Sequence, residues 1–229
     1  MKAILLSAGY GKRLRPITNT LPKCLVPIKK KPILEIWFEN LKKAEVNYFL
    51  VNTHYLSEKV ENFCKQSKFK NNIKIKYERK LLGTAGTLFE NIDFYENQDG
   101  FLIHADNYCL ENLKDFIKAH HNRPKDCLMT MMIFETKFPE ESGICKISKE
   151  NILEDFFEKR INPPGKLANG AVYILSAELL KIIQREFKNS VDFSAEIIPA
   201  LKNRIFCYKS KNTFIDIGNL ESLNKANNS

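Results

Sequence analysis

Strand-like and helix-like segments alternate over the first hundred residues, and that rhythm narrows the fold more than any other feature. Ala3 to Leu6 is apolar and short enough for a buried strand, and Tyr48 to Asn52, Ile73 to Tyr77 and Gly100 to Ala105 repeat the pattern. Between them fall helix-period stretches: Ile33 to Lys43, with Ile33, Ile36, Trp37, Leu41 and Ala44 on one face, then a segment starting at Leu56-Ser57-Glu58, then Ala85 to Ile92. Ser57 is expected to cap the second of these, with Val60, Phe63 and Cys64 turned inward. Strands separated by helices call for a parallel, doubly wound α/β sheet.

The second half departs from this rhythm. Leu113 to His121 reads as a helix, but Leu128 to Phe134, Ile144 to Ile147, Asn151 to Phe157 and Ala171 to Leu175 are strands with little helix between them. Helices at Ala177 to Phe187 and Ala195 to Leu201, strands at Ile205 to Tyr208 and Phe214 to Ile217, and a last helix at Leu220 to Ala226 close the chain. The expectation is an α/β, Rossmann-like mixed sheet, mostly parallel and flanked by helices, with a smaller β-rich part in the second half. No low-complexity linker divides the 229 residues, so one domain spanning 1–229 is expected, with a nucleotide-binding half over about 1–110 and an acceptor-binding half over about 111–229.

The first strand runs into Ser7-Ala8-Gly9-Tyr10-Gly11-Lys12-Arg13-Leu14-Arg15-Pro16, with Leu21-Pro22-Lys23-Cys24 close behind. Gly9 and Gly11 lack a Cβ and can turn consecutive N–H groups toward one anion. Lys12, Arg13, Arg15 and Lys23 would add full charges. The spacing matches neither the dinucleotide G-x-G-x-x-G nor the Walker loop.

Two carboxylates stand at strand ends. Asp106 follows the strand ending at Ala105, and Asp216 sits among apolar residues in Phe214-Ile215-Asp216-Ile217. Ligands bind at the C-terminal ends of strands in open α/β sheets, so Asp106 should share a crevice with the Gly9 turn. Mg²⁺ commonly takes one or two carboxylates plus substrate phosphates, which suits such a pair meeting a triphosphate. His104 reads as a hydrogen-bonded core histidine, with a place at the metal as the alternative. His120 and His121 read as solvent-facing on a helix end, and His54 as able to approach the crevice.

Six cysteines without C-x-x-C pairing or regular spacing argue against disulfides or zinc and for buried core thiols. Neither a signal-peptide pattern nor a membrane-length apolar run is present, so a cytoplasmic protein without membrane attachment is expected. The net charge of +9 invites nucleic acid or a small polyanion. No aromatic and basic platform accompanies Lys29-Lys30-Lys31, so that run reads as a solvated turn and the small polyanion is preferred.

Several blocks together resemble the sugar-1-phosphate nucleotidylyltransferases over nearly the whole chain. These are Leu6 to Pro16, Leu21 to Ile28, Lys31 to Leu34, Leu82-Gly83-Thr84-Ala85-Gly86-Thr87-Leu88, Phe157-Glu158-Lys159, Leu167 to Tyr173 and Phe214 to Gly218. The resemblance implies an enzyme that joins a nucleoside monophosphate from a nucleoside triphosphate (NTP) to a phosphorylated acceptor and releases pyrophosphate. It implies that Ala8, Gly9, Gly11 and Lys12 hold the nucleotide, with Arg13 and Lys23 on its phosphates. Glu78, Gly83 and Thr84 would lie near the base, Asp106 and Asp216 would bind Mg²⁺, and Lys159, Glu158 and Asn169 would meet the acceptor.

Lys12 stands where the family has Thr, Cys24 where it has Pro, and Arg160 where it has the Pro of E-K-P. Within the family, His104-Ala105-Asp106-Asn107, Met129 to Phe134 and Asn162 to Gly170 most resemble the CTP:phosphoglutamine cytidylyltransferases. That implies CTP and L-glutamine phosphate giving CDP-L-glutamine for capsule phosphoramidate. The alternatives are a guanylyl- or uridylyltransferase acting on a sugar 1-phosphate, and, from another class, an inactive nucleotide-binding regulatory homologue. The oligomeric state stays open.

Overall fold

The computed structural model describes residues 1–229. In chain order its elements are β1 (Lys2–Leu6), β2 (Pro27–Ile28), β3 (Lys31–Pro32), α1 (Ile33–Lys43), β4 (Tyr48–Thr53), α2 (Ser57–Gln66), β5 (Ile73–Tyr77), α3 (Gly83–Glu90), β6 (Gly100–His104) and β7 (Asn107–Cys109). There follow α4 (Leu113–His121), β8 (Met129–Glu135), β9 (Gly143–Ile147), β10 (Leu153–Glu158), β11 (Leu167–Leu175), α5 (Ala177–Glu186), α6 (Ile198–Ala200), β12 (Ile205–Lys209), β13 (Phe214–Asp216) and α7 (Leu220–Asn228). The expected α/β class, a mixed sheet flanked by helices, is the fold the chain adopts.

Two compact units interleave along the sequence. One comprises 1–81, 103–113 and 212–229, and the other 82–102 and 114–211.

In the first unit β4 pairs in parallel with β1, from Lys2↔Tyr48 to Leu5↔Val51, and with β5, from Phe49↔Ile73 to Thr53↔Tyr77. β1 and β4 are near-continuous apolar runs, as buried parallel strands require, whereas β5 alternates apolar residues with exposed lysines. Helix α1 lays Ile33, Leu34, Trp37, Phe38 and Leu41 into the core, and Phe38 stacks on Phe49 at 5.0 Å. Full burial of each such side chain contributes about 1.5–3 kcal/mol. The Trp37 indole donates to Asn107 O at 2.8 Å, fastening α1 to β7. Short β7 pairs antiparallel with β13, placing Asp216 opposite Asn107.

Three local expectations need correction. Leu56 enters α2 in the left-handed region, so Ser57 is the first helical residue and not its cap. Helix α3 begins at Gly83, two residues earlier than expected, and ends at Glu90. A π-turn over Phe193–Ile197, followed by α6, replaces the helix expected from Ala195 to Leu201. The Lys29-Lys30 pair carries φ of 48° and 69° between β2 and β3. Two positive φ values are what a two-residue hairpin turn with matching twist demands.

The second unit is β-rich. β11 pairs antiparallel with β8 and β9, β9 with β10, and β12 runs parallel to β8. Its core includes Met129, Met131, Ile133, Tyr173, Leu175, Leu179, Ile183 and Phe193. His120, expected at the surface, is fully buried. Its Nε2 faces Asp99 Oδ2 at 3.2 Å and its Nδ1 faces the Thr130 hydroxyl at 2.9 Å. These partners meet the polar demand that the sequence suggested water would meet. All six thiols are buried and no disulfide forms. No helix is long and apolar enough to cross a membrane.

Candidate functional site

Where β1 ends, the chain is fixed from below. Ser7 N donates to Asn52 Oδ1 at 2.7 Å, and the Ser7 hydroxyl donates to Asn52 O at 2.5 Å. Asn52 Nδ2 in turn donates to Glu78 Oε1 at 2.8 Å. Glu78, expected near the base, is buried, and its carboxylate accepts from Asn52. The turn closes at Gly11, whose φ of 61° starts a 3-10 turn over Lys12–Leu14. The Thr18 hydroxyl donates to Gly11 O at 2.8 Å. A Cβ on Gly11 would sit 3.0 Å from Thr18 Cγ2 and 3.2 Å from Lys23 Cβ, so both backbone angle and space favour glycine. At Gly9 a Cβ would meet no protein atom within 4 Å.

Around this turn opens a cavity of about 330 Å³ lined by Gly9, Tyr10, Gly11, Lys12, Arg13, Lys23, Asp106 and Gly218 among others. Its charges are ordered. Lys23, largely buried, holds its Nζ 2.6 Å from Asp106 Oδ2 and 3.9 Å from Asp216 Oδ1. Arg13 Nη2 stands 3.9 Å from Asp216 Oδ2. Gly218 makes room for that guanidinium, since a Cβ there would lie 3.0 Å from Arg13 Nη1.

Burial works against a charged Asp106, but the Lys23 ammonium beside it, assisted by His104, outweighs burial and holds the carboxyl below its usual range. Asp106 is therefore ionised at neutral pH and able to bind cations. Burial pushes the neighbouring Cys24 thiol far up, with Cys64 and Asp106 adding to the effect, so Cys24 stays protonated and serves as packing.

Of the histidines, His54 comes close to the turn. Its Nδ1 lies 2.9 Å from Glu78 O and its Nε2 lies 3.2 Å from the Tyr10 hydroxyl. His104 is half-buried beside Asp106.

The remaining candidate residues belong to the second unit. Gly83 has φ 78° and starts α3, where Ala85 N donates to Val191 O at 2.9 Å and the Thr84 hydroxyl accepts from Phe193 N at 2.7 Å. Glu158 ends β10 opposite Gly143, and Lys159, at φ 43°, lies with its Nζ 3.4 Å from Glu158 Oε1. A Cβ on Gly143 would stand 2.6 Å from Glu158 Oε2, so glycine there keeps the carboxylate in place. Asn169 sits at the irregularity of β11, where its Oδ1 accepts from Ala171 N and its Nδ2 donates to the Tyr173 hydroxyl at 2.7 Å.

The structure thus brings Gly9, Gly11, Lys12, Arg13, Lys23 and Asp106 to one cavity, with Asp216 3.9 Å from both Arg13 and Lys23. Asn52, Thr18, Gly218, Tyr10 and Ser7 join them as residues that sequence reasoning passed over. Only Gly218, Tyr10 and Ser7 carried a signal, as members of the quoted blocks.

The family described as nucleotidyl transferase matches residues 2–229 of this chain. The D-glycero-alpha-D-manno-heptose 1-phosphate guanylyltransferase of Campylobacter jejuni is 29% identical over 219 residues, covering 95% of each chain. The mannose-1-phosphate guanylyltransferase catalytic subunit beta of Xenopus tropicalis is 31% identical over 225 residues, covering 95% of this chain and 61% of the relative. The chain thus spans about three fifths of the length of several curated relatives it matches. A solved structure of UDP-glucose pyrophosphorylase complexed with UDP-glucose superposes with a TM-score of 0.83 at 22% identity, covering 99% of this chain and 97% of the other. At that identity the likeness speaks to fold.

Proposed function

The chain belongs to the nucleotidyl transferase family, and from that premise we propose that it transfers a nucleoside monophosphate from an NTP to a sugar 1-phosphate, releasing pyrophosphate. The observation that carries the reading is Lys23 set between Asp106 and Asp216 at the wall of the glycine-turn cavity. Between the two acceptors weighed from the sequence, the guanylyltransferase names of the relatives favour a sugar 1-phosphate over L-glutamine phosphate, and GTP over CTP.

The chemistry asks little of proton transfer. An oxygen of the acceptor phosphate, ionised near neutral pH, attacks the α-phosphorus in line. A new P–O bond forms as the bond to the pyrophosphate oxygen breaks, and the electron pair leaves with pyrophosphate. Catalysis then rests on positioning and charge neutralisation. The backbone from Gly9 to Gly11 would cradle phosphate oxygens, Arg13 and Lys12 would take up charge on the leaving group, and Lys23 would orient the reacting phosphate. Asn52 and Glu78 would keep the turn in shape from below. On the acceptor side, Lys159 would meet the sugar phosphate, and Glu158 and Asn169 the sugar.

Asp106 and Asp216 suit Mg²⁺. Both have an oxygen within 4 Å of one point, the Lys23 ammonium, and both are hard oxygen donors. A pair of carboxylates would leave positions for water and phosphate oxygens, as Mg²⁺ prefers. When bound, the ion would neutralise developing charge on the phosphates.

The test is a matrix of four NTPs against mannose 1-phosphate, a heptose 1-phosphate, glucose 1-phosphate, phosphocholine and L-glutamine phosphate, scored by pyrophosphate release with Mg²⁺. Release with GTP and a sugar 1-phosphate supports the proposal. Release confined to CTP and L-glutamine phosphate returns the cytidylyl reading, and NTP binding without release in any pair indicates a regulatory homologue.

A further inference from the structure

The cavity carries three cations, and they are not held alike. Arg13 and Lys23 face carboxylates. Lys12, which stands where the family signature has threonine, instead places its Nζ 5.6 Å from the centroid of the Tyr10 ring. That is within cation–π range.

Tyr10 is partly exposed at the cavity, yet it is held on several sides. Its ring meets His54 edge-on, with centroids 5.7 Å apart and planes at 84°, and tilts against Tyr55 at 5.4 Å. Its hydroxyl is 3.2 Å from His54 Nε2. Because the opposite ring nitrogen, Nδ1, faces the Glu78 carbonyl, which can only accept, Nδ1 carries the proton and Nε2 accepts from the Tyr10 hydroxyl. Tyr55 is itself fixed, its hydroxyl donating to Thr18 O at 2.9 Å. An exposed aromatic so constrained is costly to disturb and suited to orient what lies on its face.

We propose that Tyr10 is a positioning residue that holds the Lys12 ammonium at the cavity, making Lys12 an additional side-chain cation for the triphosphate. The inference rests on the nucleotidyltransferase reading and deepens it. A lysine has many rotamers, and a partner that selects one lowers the ordering cost of each phosphate contact. Tyr10 thus acts through Lys12 and needs no contact with the nucleotide.

The experiment is a double-mutant cycle of Tyr10→Leu and Lys12→Met, read by calorimetric binding of the preferred NTP and of inorganic tripolyphosphate, with melting curves for each protein. Each single substitution should weaken binding of both ligands about 3- to 10-fold, and the double variant should lose no more than Lys12→Met alone. The salt dependence of binding should be shallower wherever Lys12 is displaced. Tyr10→Phe, which keeps the ring, should retain most of the affinity. Additive losses, or a Tyr10→Leu loss for NTP but not for tripolyphosphate, would mean that the ring touches the nucleotide itself and would overturn the proposal. Wild-type affinity in Lys12→Met overturns it too. If the wild-type protein binds no NTP at all, the nucleotidyltransferase reading falls first and this inference with it.

Discussion

Replacing Gly83 by alanine should destabilise the protein through the backbone of the second unit. Gly83 has φ 78°, and an L-residue held in the left-handed region costs about 1–2 kcal/mol. The added Cβ would lie 2.3 Å from Val191 O and 2.6 Å from Val191 Cγ1. The carbonyl must therefore withdraw by roughly 1 Å to reach ordinary contact. Val191 O is the acceptor for Ala85 N at 2.9 Å, so withdrawal also sacrifices that bond, worth about 0.5–1.5 kcal/mol. The combined loss is about 1.5–3.5 kcal/mol. For a chain of this size each kcal/mol moves the midpoint by about 2–4 °C, so the melt should fall by roughly 3–14 °C. Differential scanning calorimetry of wild type and Gly83→Ala measures the shift, and hydrogen exchange should rise first around 83–90 and 190–197. Gly9→Ala is the internal control, since its Cβ meets no protein atom within 4 Å and its melt should stay put. A Gly83→Ala midpoint within 2 °C of wild type, on the order of half a kcal/mol, would refute the steric argument.

Three further outcomes are expected. Gly9→Ala, although stable, should bind NTP about 10- to 100-fold more weakly, because a methyl group intrudes where the backbone must approach phosphate; unchanged affinity in a titration would remove Gly9 from the cradle. Asp106→Asn should lower turnover by about 10²–10³-fold in the pyrophosphate assay, and because it leaves the largely buried Lys23 ammonium facing only Asp216 at 3.9 Å, a lower melting temperature should accompany the loss; near-normal turnover would take Asp106 out of the site. On the acid side, burial lowers the His120 pKa and the hydrogen bond from His120 lowers that of Asp99. Groups whose folded pKa lies below the unfolded one contribute stability above the unfolded pKa and lose it as pH falls through the folded one. Melting temperature should therefore decline as pH drops below about 6.5, and His120→Phe, though destabilised throughout, should flatten that slope. A slope unchanged in the variant would assign it to other groups.

Elements were legible where one segment carried its own reason. The apolar stripe of α1 and the alternation of β5 specify them locally, and their ends fall where the sequence put them. Elements defined by a distant partner were not legible. Strand β7 is three residues long and exists because β13, over a hundred residues later, pairs with it. His120 looked exposed because its helix end is polar, but Asp99 and Thr130 supply from elsewhere what water was expected to supply. Leu56 gave no sign of a left-handed entry into α2, since only tertiary packing makes a non-glycine residue accept it. The candidate site shows the same division. Glycines, cations and carboxylates announce their chemistry by type, whereas the Ser7, Asn52 and Glu78 chain beneath the turn consists of ordinary polar residues that acquire a role only when β1, β4 and β5 lie side by side.

The net charge of +9 was ambiguous for a related reason. Total charge attracts any polyanion, and nucleic acid and nucleotide differ in shape more than in sign. Placement of the charges is what favours the small polyanion. Lys29 and Lys30 occupy a hairpin turn, an exposed position that commits them to no ligand. Lys12, Arg13, Lys23 and Asp106 converge on one concavity of about 330 Å³, near the lower end of the range for small-molecule sites, and Asp216 stands 3.9 Å from two of these cations. Three cations against two carboxylates leave a surplus of one positive charge there. Two anionic side chains inside a cationic pocket would weaken a site built only to attract phosphate. Their presence makes sense if a divalent cation arrives with the phosphates, because carboxylates that repel a bare triphosphate attract one carrying Mg²⁺. Under the proposed function the site would favour a metal-bound triphosphate over other polyanions of similar size, using the same carboxylates that lie beside Lys23 and Arg13.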